Sequence, residues 1–132
     1  MNIEYKINEE PEVLDIIEVY KSSGINRPVD DPDRISRMYG NSNLIVSAWD
    51  GNILVGVSRA LTDYCYCCYL SDLAVKKEYQ KKGIGKEMIR LTKEIIGDQS
   101  MLLLLAADSA KEYYPKLEMQ KVENGFIIKR NR

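Results

Sequence analysis

The segment Gln80-Lys81-Lys82-Gly83-Ile84-Gly85-Lys86 carries the residue types needed to hold a polyanion. Glycines let an anion approach the backbone closely, and a helix starting there offers unpaired N–H groups and partial positive charge. Between Lys76 and Glu94, seven Lys or Arg stand against three Glu, a net +4 in a chain whose net charge is −1. A phosphate-bearing ligand suits that sign. Two common phosphate loops fail on detail. A P-loop requires Ser or Thr after its Gly-Lys pair, and here Glu87 follows Lys86. A dinucleotide fingerprint requires Gly or Ala three residues beyond Gly85, where Met88 stands. A glycine turn leading into a solvated basic helix is the plainer alternative.

Other chemistry is bounded by composition. The chain has no histidine, which removes Ser-His-Asp triads, Cys-His pairs and histidine metal sites. Cys65, Cys67 and Cys68 are the only cysteines. They lack a fourth metal ligand and separated disulfide partners, so they are expected to be small buried strand residues in a reducing compartment, and no metal is expected. Tyr113 and Tyr114 offer phenols that stay protonated near neutral pH and can supply a proton. They equally suit ordinary half-buried positions.

The chain is 132 residues long, 45% apolar and 30% charged, which suits one globular domain spanning residues 1–132. Its 19 basic and 20 acidic residues give no general signal for nucleic acid. The longest apolar run, Met101 to Ala107, is far too short to span a membrane, and MNIEYKINEE has no signal-peptide pattern. A cytoplasmic protein is the expectation.

Periodicity supplies the elements. Asn2 to Ile7 alternates as a strand, and Glu9 to Ser23 has a helical apolar face at Val13, Ile16, Ile17 and Tyr20. Asp31-Pro32 opens a short helix carrying Ile35, Met38 and Tyr39. Strands are expected at Asn43 to Trp49 and Ile53 to Leu61, around the turn Asp50-Gly51-Asn52, and at Tyr64 to Val75. Ile84, Met88, Leu91 and Ile95 mark a helix ending at Gly97. Met101 to Ala107 reads as a strand covered on both faces, and Ser109 and Glu112 have capping-box spacing for a further helix. Two short strands are expected around Glu123-Asn124-Gly125. The result is an α+β (mixed α/β) fold, with a central, mostly antiparallel mixed sheet of six to seven strands and helices on both faces.

Leu73-Ala74-Val75, four spacer residues and then Gln80-x-x-Gly83-x-Gly85 resemble motif A of the GNAT N-acetyltransferase superfamily. Tyr113-Tyr114-Pro115-Lys116-Leu117-Glu118-Met119 resembles the family's aromatic-Tyr-x-x-x-Gly-Phe segment, with Glu118 where glycine is usual and Met119 where phenylalanine is usual. The element order matches as well. The resemblance implies acetyl-CoA as donor and an amine as acceptor, in a small single-domain N-acetyltransferase. It implies that Leu73, Ala74 and Val75 pair with the pantetheine arm, that Gln80 opens the loop, and that Lys81, Lys82, Gly83, Ile84, Gly85 and Lys86 bind the pyrophosphate. Tyr114 matches the family's general acid.

Many members of the family place a Glu or His base on the strand before Leu-Ala-Val. The matching positions here are Tyr69 and Ser71, neither a good base at neutral pH. They remain candidates for contact with the acceptor. Asp72 is adjacent, but strand alternation turns it to the opposite face unless a bulge intervenes, and a structural role is the other reading. Residues 1–33 hold nine acidic and three basic residues. In the fold this resembles, the first two helices and their loop border the acceptor cleft, which implies that Asp30, Asp31 and Asp33 attract a small cationic amine; the alternative is a solvated face with an N-cap. The rival functional classes are an acetyl-CoA sensor without turnover and an interaction module. A homodimer built through a sheet edge is also possible for this fold.

Overall fold

The computed structural model describes residues 1–132. Five strands form one sheet in the order of the chain: β1 (Ile3–Ile7), β2 (Leu44–Asp50), β3 (Ile53–Thr62), β4 (Cys67–Val75) and β5 (Met101–Leu103). The first four pair antiparallel, and β5 joins β4 in parallel. Three helices complete the fold: α1 (Val13–Ser23), α2 (Pro32–Gly40) and α3 (Ile84–Ile96). The mixed, mostly antiparallel sheet agrees with expectation; a count of six to seven strands does not.

The apolar stripes decide which face each helix covers. Ile16, Ile17, Val19 and Tyr20 of α1 and Ile35 and Tyr39 of α2 bury against Ile45, Leu54, Val57 and Ala74. Ile84 and Met88 of α3 pack on the other face, against Val46, Ala48 and Val55. Ile96, at the far end of α3, meets Leu44, Ala60, Cys68 and Leu70. A sheet covered on both faces explains the near-continuous burial of Leu44 to Ala48 and of Leu54 to Ala60.

Several expected boundaries move, each for a physical reason. The first helix begins at Val13 rather than Glu9, because Pro11 interrupts the preceding turn. The β3–β4 connection extends to Tyr66. There one carboxylate oxygen of Asp63 accepts the N–H groups of Cys65, Tyr66 and Cys67 (2.8–3.0 Å), holding a turn. Cys65 and Cys67 are consequently exposed and only Cys68 is buried, correcting the expectation of three buried thiols. β5 stops at Leu103, and the helix expected after Ser109 is replaced by two 3₁₀ turns, Asp108–Ala110 and Tyr114–Leu117. Residues 120–132 form no strand, which removes the two C-terminal strands.

Glu118 ends the second 3₁₀ turn with φ +63°, in the left-handed region. This is the position where the family pattern has glycine, and left-handed geometry is the reason glycine suits it. Glu118→Gly should stabilise the fold by roughly 0.5–1 kcal/mol, since removing the Cβ strain outweighs the added chain entropy. Chemical denaturation of the two forms checks this.

Candidate active site

A cleft opens where β4 and β5 separate. Their pairing runs only from Cys67–Met101 to Tyr69–Leu103. Beyond it the two segments diverge, and Leu70, Ser71, residues 73–75 and residues 104–107 wall a cavity of about 400 Å³. Ser23 to Arg27, in the connection after α1, close one side, and Ser109, Ala110 and Tyr114 close another. A bulge in β4 contributes to the divergence. Arg59 pairs with Asp72 but Ala60 pairs with Leu70, leaving Ser71 as the extra residue. Such a bulge bends and twists its strand. It also switches the alternation, so that Leu70 packs beside Ile96 of α3 whereas Asp72 and Ala74 face α1.

The bulge leaves a backbone edge facing the cleft. Lys76 N–H donates to Val55 O (2.8 Å), so even-numbered residues at this end of β4 turn toward β3. Leu73 and Val75 turn their backbone groups the other way, where no strand pairs with them. The Gln80 side chain donates to Val75 O (2.9 Å), fastening the following loop to the strand end. Such an edge suits an extended amide chain added as a further strand.

The loop leads into α3. Gly83 has φ +85° and precedes the first helical residue, with no side chain capping the helix. Only from Glu87, whose N–H donates to Gly83 O (3.0 Å), do amides find intrahelical partners. The N–H groups of Ile84, Gly85 and Lys86 therefore lie among the unsatisfied donors of a helix start. The Ile84 side chain is buried, so its contribution to the loop is backbone alone. At Gly85 a Cβ would sit 3.1 Å from the Tyr113 hydroxyl and 3.9 Å from Leu73 Cδ2. Glycine thus lets Tyr113 lie directly on the first turn of α3.

Tyr114 lines the cleft, and its ring stands edge-on to Tyr113, centroid to centroid 5.1 Å. Burial, followed by the neighbouring Tyr113 phenol, raises the Tyr114 pKa above the usual tyrosine value. Burial raises that of Tyr113 too. Both phenols hold their protons at neutral pH. Pro115 directs the chain into the 3₁₀ turn and sets the backbone on either side of it.

Asp72 is fully buried, and its carboxylate is saturated. One oxygen accepts Arg27 Nε (2.6 Å) and Ser71 Oγ (3.2 Å); the other accepts Arg59 Nε (2.7 Å) and the Tyr20 hydroxyl (2.6 Å). Tyr20 in turn shares a 2.6 Å hydrogen bond with Tyr39. Burial alone would raise the Asp72 pKa, but Arg59, Arg27 and Tyr20 together hold it below the usual carboxylate value. With its acceptor sites filled, Asp72 is a structural anchor rather than a proton acceptor. No carboxylate side chain lines the cleft.

The residues expected to hold the donor, from Leu73 to Lys86, occupy one continuous strand–loop–helix unit beside the cleft. Ser71 lines the cleft; Tyr69 is part of the β4–β5 pairing and is not among the lining residues. Asp30, Asp31 and Asp33 do not line it either. Asp31 caps α2 by accepting Arg34 N–H (3.2 Å). Sequence reasoning missed Arg27, the charged residue in the cleft wall. The signal for it was Asp72 itself, because a carboxylate in an apolar strand demands a buried cation.

The family description that matches the sequence is the GNAT acetyltransferase family, over residues 11–119. No curated protein sequence matches significantly. Among solved structures, the chain is similar to the GNAT-family protein SP0256 of Streptococcus pneumoniae TIGR4, with 20% identity, 99% of this chain and 100% of that chain covered, and a TM-score of 0.77. It is similar also to the aminoglycoside N-acetyltransferase AAC(6')-Iy in complex with CoA, at 10% identity, 99% and 96% coverage and TM-score 0.74. A third similar structure is the aminoglycoside acetyltransferase meta-AAC0020 from an uncultured soil metagenomic sample, in complex with sisomicin. There the identity is 18%, the coverage 96% and 97%, and the TM-score 0.66. Likeness at these identities shows a shared fold.

Proposed function

The chain belongs to the GNAT acetyltransferase family, and we propose that it transfers the acetyl group of acetyl-CoA to a primary amine of a small molecule. The observation that carries this reading is the free β4 edge and Tyr114 lining one cleft, with Gln80 in its wall and the uncapped N-terminus of α3 following Gln80 in the chain. The pantetheine arm pairs with the backbone of Leu73 and Val75, and the pyrophosphate accepts N–H groups between Lys81 and Lys86, with the lysines adding charge. The thioester then lies toward Ser71 and Tyr114. The neutral amine attacks the thioester carbonyl, the C–S bond breaks as Tyr114 protonates the departing thiolate, and the nitrogen gives up its extra proton through water, which restores the Tyr114 phenol. An unperturbed thiol has a pKa of about 8.5, so a phenol near neutrality is a competent donor.

Binding is tested by thermal unfolding. Acetyl-CoA or CoA at ~100 times its Kd should add about 2.7 kcal/mol of stability. An unchanged unfolding temperature at saturating concentrations of both would refute the donor site.

The absence of a carboxylate or imidazole in the cleft sets the pH dependence. The acceptor must lose its proton to water or enter as the neutral amine. The rate with a given amine should therefore climb with pH toward that amine's own pKa, without levelling near 4–7 as a carboxylate or imidazole base would produce. A pH–rate profile with a plateau beginning near neutrality for an alkyl amine would contradict this.

The same missing base favours a second reading, in which the domain binds acetyl-CoA as a sensor and does not turn it over. Release of free CoA thiol in the presence of amines separates the two. A homodimer is a further proposal, favoured by the exposed side chains of Phe126, Ile127 and Ile128. Light scattering reports the mass directly.

A further inference from the structure

We propose that Arg27 is the acceptor's binding group, and that the acceptor is a small amine carrying a carboxylate. This rests on the acetyl-transfer reading of the cleft. The polar cluster beneath the cleft holds one carboxylate, Asp72, against two guanidinium groups, Arg27 and Arg59. It is left with one positive charge in excess. Arg59 is spent inside the protein: it donates to Asp72, to Ser42 Oγ (3.1 Å) and to Ser71 Oγ (3.0 Å), and is buried. Arg27 is the group that reaches the cleft, with its side chain 22% exposed.

Three of Arg27's five N–H groups are occupied. Nε donates to Asp72, Nη1 to Asn26 O (2.7 Å) and Nη2 to Ser71 O (2.6 Å). One N–H on each terminal nitrogen is left over. These bonds fix the guanidinium in place, so its remaining donors are preorganised rather than mobile. The other lining residues are uncharged at neutral pH. Asp72 is shared between Arg27 and Arg59, so a cluster of net charge +1 borders a largely apolar wall, a setting that favours a bound anion.

The donor does not supply that anion. Its pyrophosphate belongs at Gly83–Gly85, and Arg27 contacts β4 at Ser71, four residues back from Val75. At ~3.3 Å per residue the strand alone separates the two ends by roughly 13 Å. The pantetheine arm and the acetyl thioester between them are neutral. The anion therefore comes with the acceptor, and a carboxylate has the planar fork geometry that a guanidinium favours. The acidic residues Asp30, Asp31 and Asp33, which would favour a purely cationic amine, do not line this cleft.

The test uses the intact protein, acetyl-CoA and matched acceptor sets. Each set holds an aliphatic amino acid, its carboxamide, and the amine that remains when the carboxylate is removed. Sets span α-, β- and γ-amino acids, and kcat/KM is read from thiol release extrapolated to the neutral-amine fraction of each acceptor. The carboxylate member of at least one set should exceed both partners by about 10- to 150-fold, mainly through KM. Arg27→Gln should collapse that preference while leaving the KM for acetyl-CoA unchanged. Arg27→Lys keeps the charge beside Asp72 and removes the fork, so it should retain a reduced preference and provides the reading if the glutamine variant does not fold. Equal or better turnover of carboxamides and simple amines overturns the acceptor assignment and leaves acetyl transfer standing. A preference unchanged in a folded Arg27 variant also overturns it. If no amine of any class releases thiol, the acetyl-transfer reading falls, and the acceptor assignment falls with it.

Discussion

Tyr114→Phe should lower kcat by about 10²- to 10⁴-fold while leaving acetyl-CoA affinity nearly unchanged. The magnitude is that of removing a positioned general acid. The direction follows from where the proton is needed. The departing sulfur carries the developing charge, and Tyr114 is the ionisable acid in the cleft wall, kept protonated by burial. Phenylalanine preserves the ring and its edge-on contact with Tyr113, so only the proton is lost. Single-turnover kinetics with saturating acetyl-CoA isolate the chemical step. Near wild-type kcat in the phenylalanine variant would move the acid role to Tyr113, whose hydroxyl lies over Gly85.

Asp72→Asn should destabilise the protein by about 3–5 kcal/mol, the usual cost of leaving a buried charge without its partner. Two guanidinium groups would then face each other's field with no carboxylate between them. A domain of this size has only about 5–15 kcal/mol of stability in total, so the loss should be plain in urea denaturation. The same residue sets the acid limit of the fold. Its folded pKa lies below its unfolded value, so its contribution is present above the ordinary carboxylate pKa of about 3.9. That contribution is lost as the pH falls through the depressed folded value. Tyr20 and Tyr39 act at the other limit. Burial, chiefly, raises both pKa values, so their contribution is present below about pH 10 and lost as the pH rises above it. Asp72→Asn should therefore flatten the acid limb of a stability-versus-pH curve and weaken the alkaline limb only partly, because burial is the largest cause of both tyrosine shifts and the Asp72 charge a smaller one.

The strand–loop–helix unit proposed to hold the donor was legible before the structure because its signals are local. Gly83 stands at φ +85° at the head of α3, and the run of lysines around it is a feature of neighbouring residues alone. The proposed acceptor side was not, because its determinants are contacts across the chain. Arg27 and Asp72 are 45 residues apart in sequence, and nothing near Arg27 marks it as different from a solvated loop residue. The role of Asp72 depended on the bulge at Ser71, which pairing with β3 reveals and alternation cannot. Met101 to Ala107 shows the same limit. An apolar run reads identically whether it pairs as a strand or lines a cavity, and here Leu104 to Ala107 do the latter. The tail around Asn124-Gly125 has the turn and apolar signals of a hairpin, but a hairpin is marginal without a sheet to join. Residues 120–132 have no such pairing.

Transfer of an acetyl group from sulfur to nitrogen in this cleft is open to direct measurement. Incubation of the purified protein with acetyl-CoA carrying a ¹³C-labelled acetyl group and a panel of primary amines, followed by mass spectrometry and NMR, tests it most directly. One amine should gain the labelled acetyl group on nitrogen, in step with release of free CoA and dependent on Tyr114. Saturable acetyl-CoA binding with no labelled amide from any acceptor would contradict it and identify the domain as a sensor.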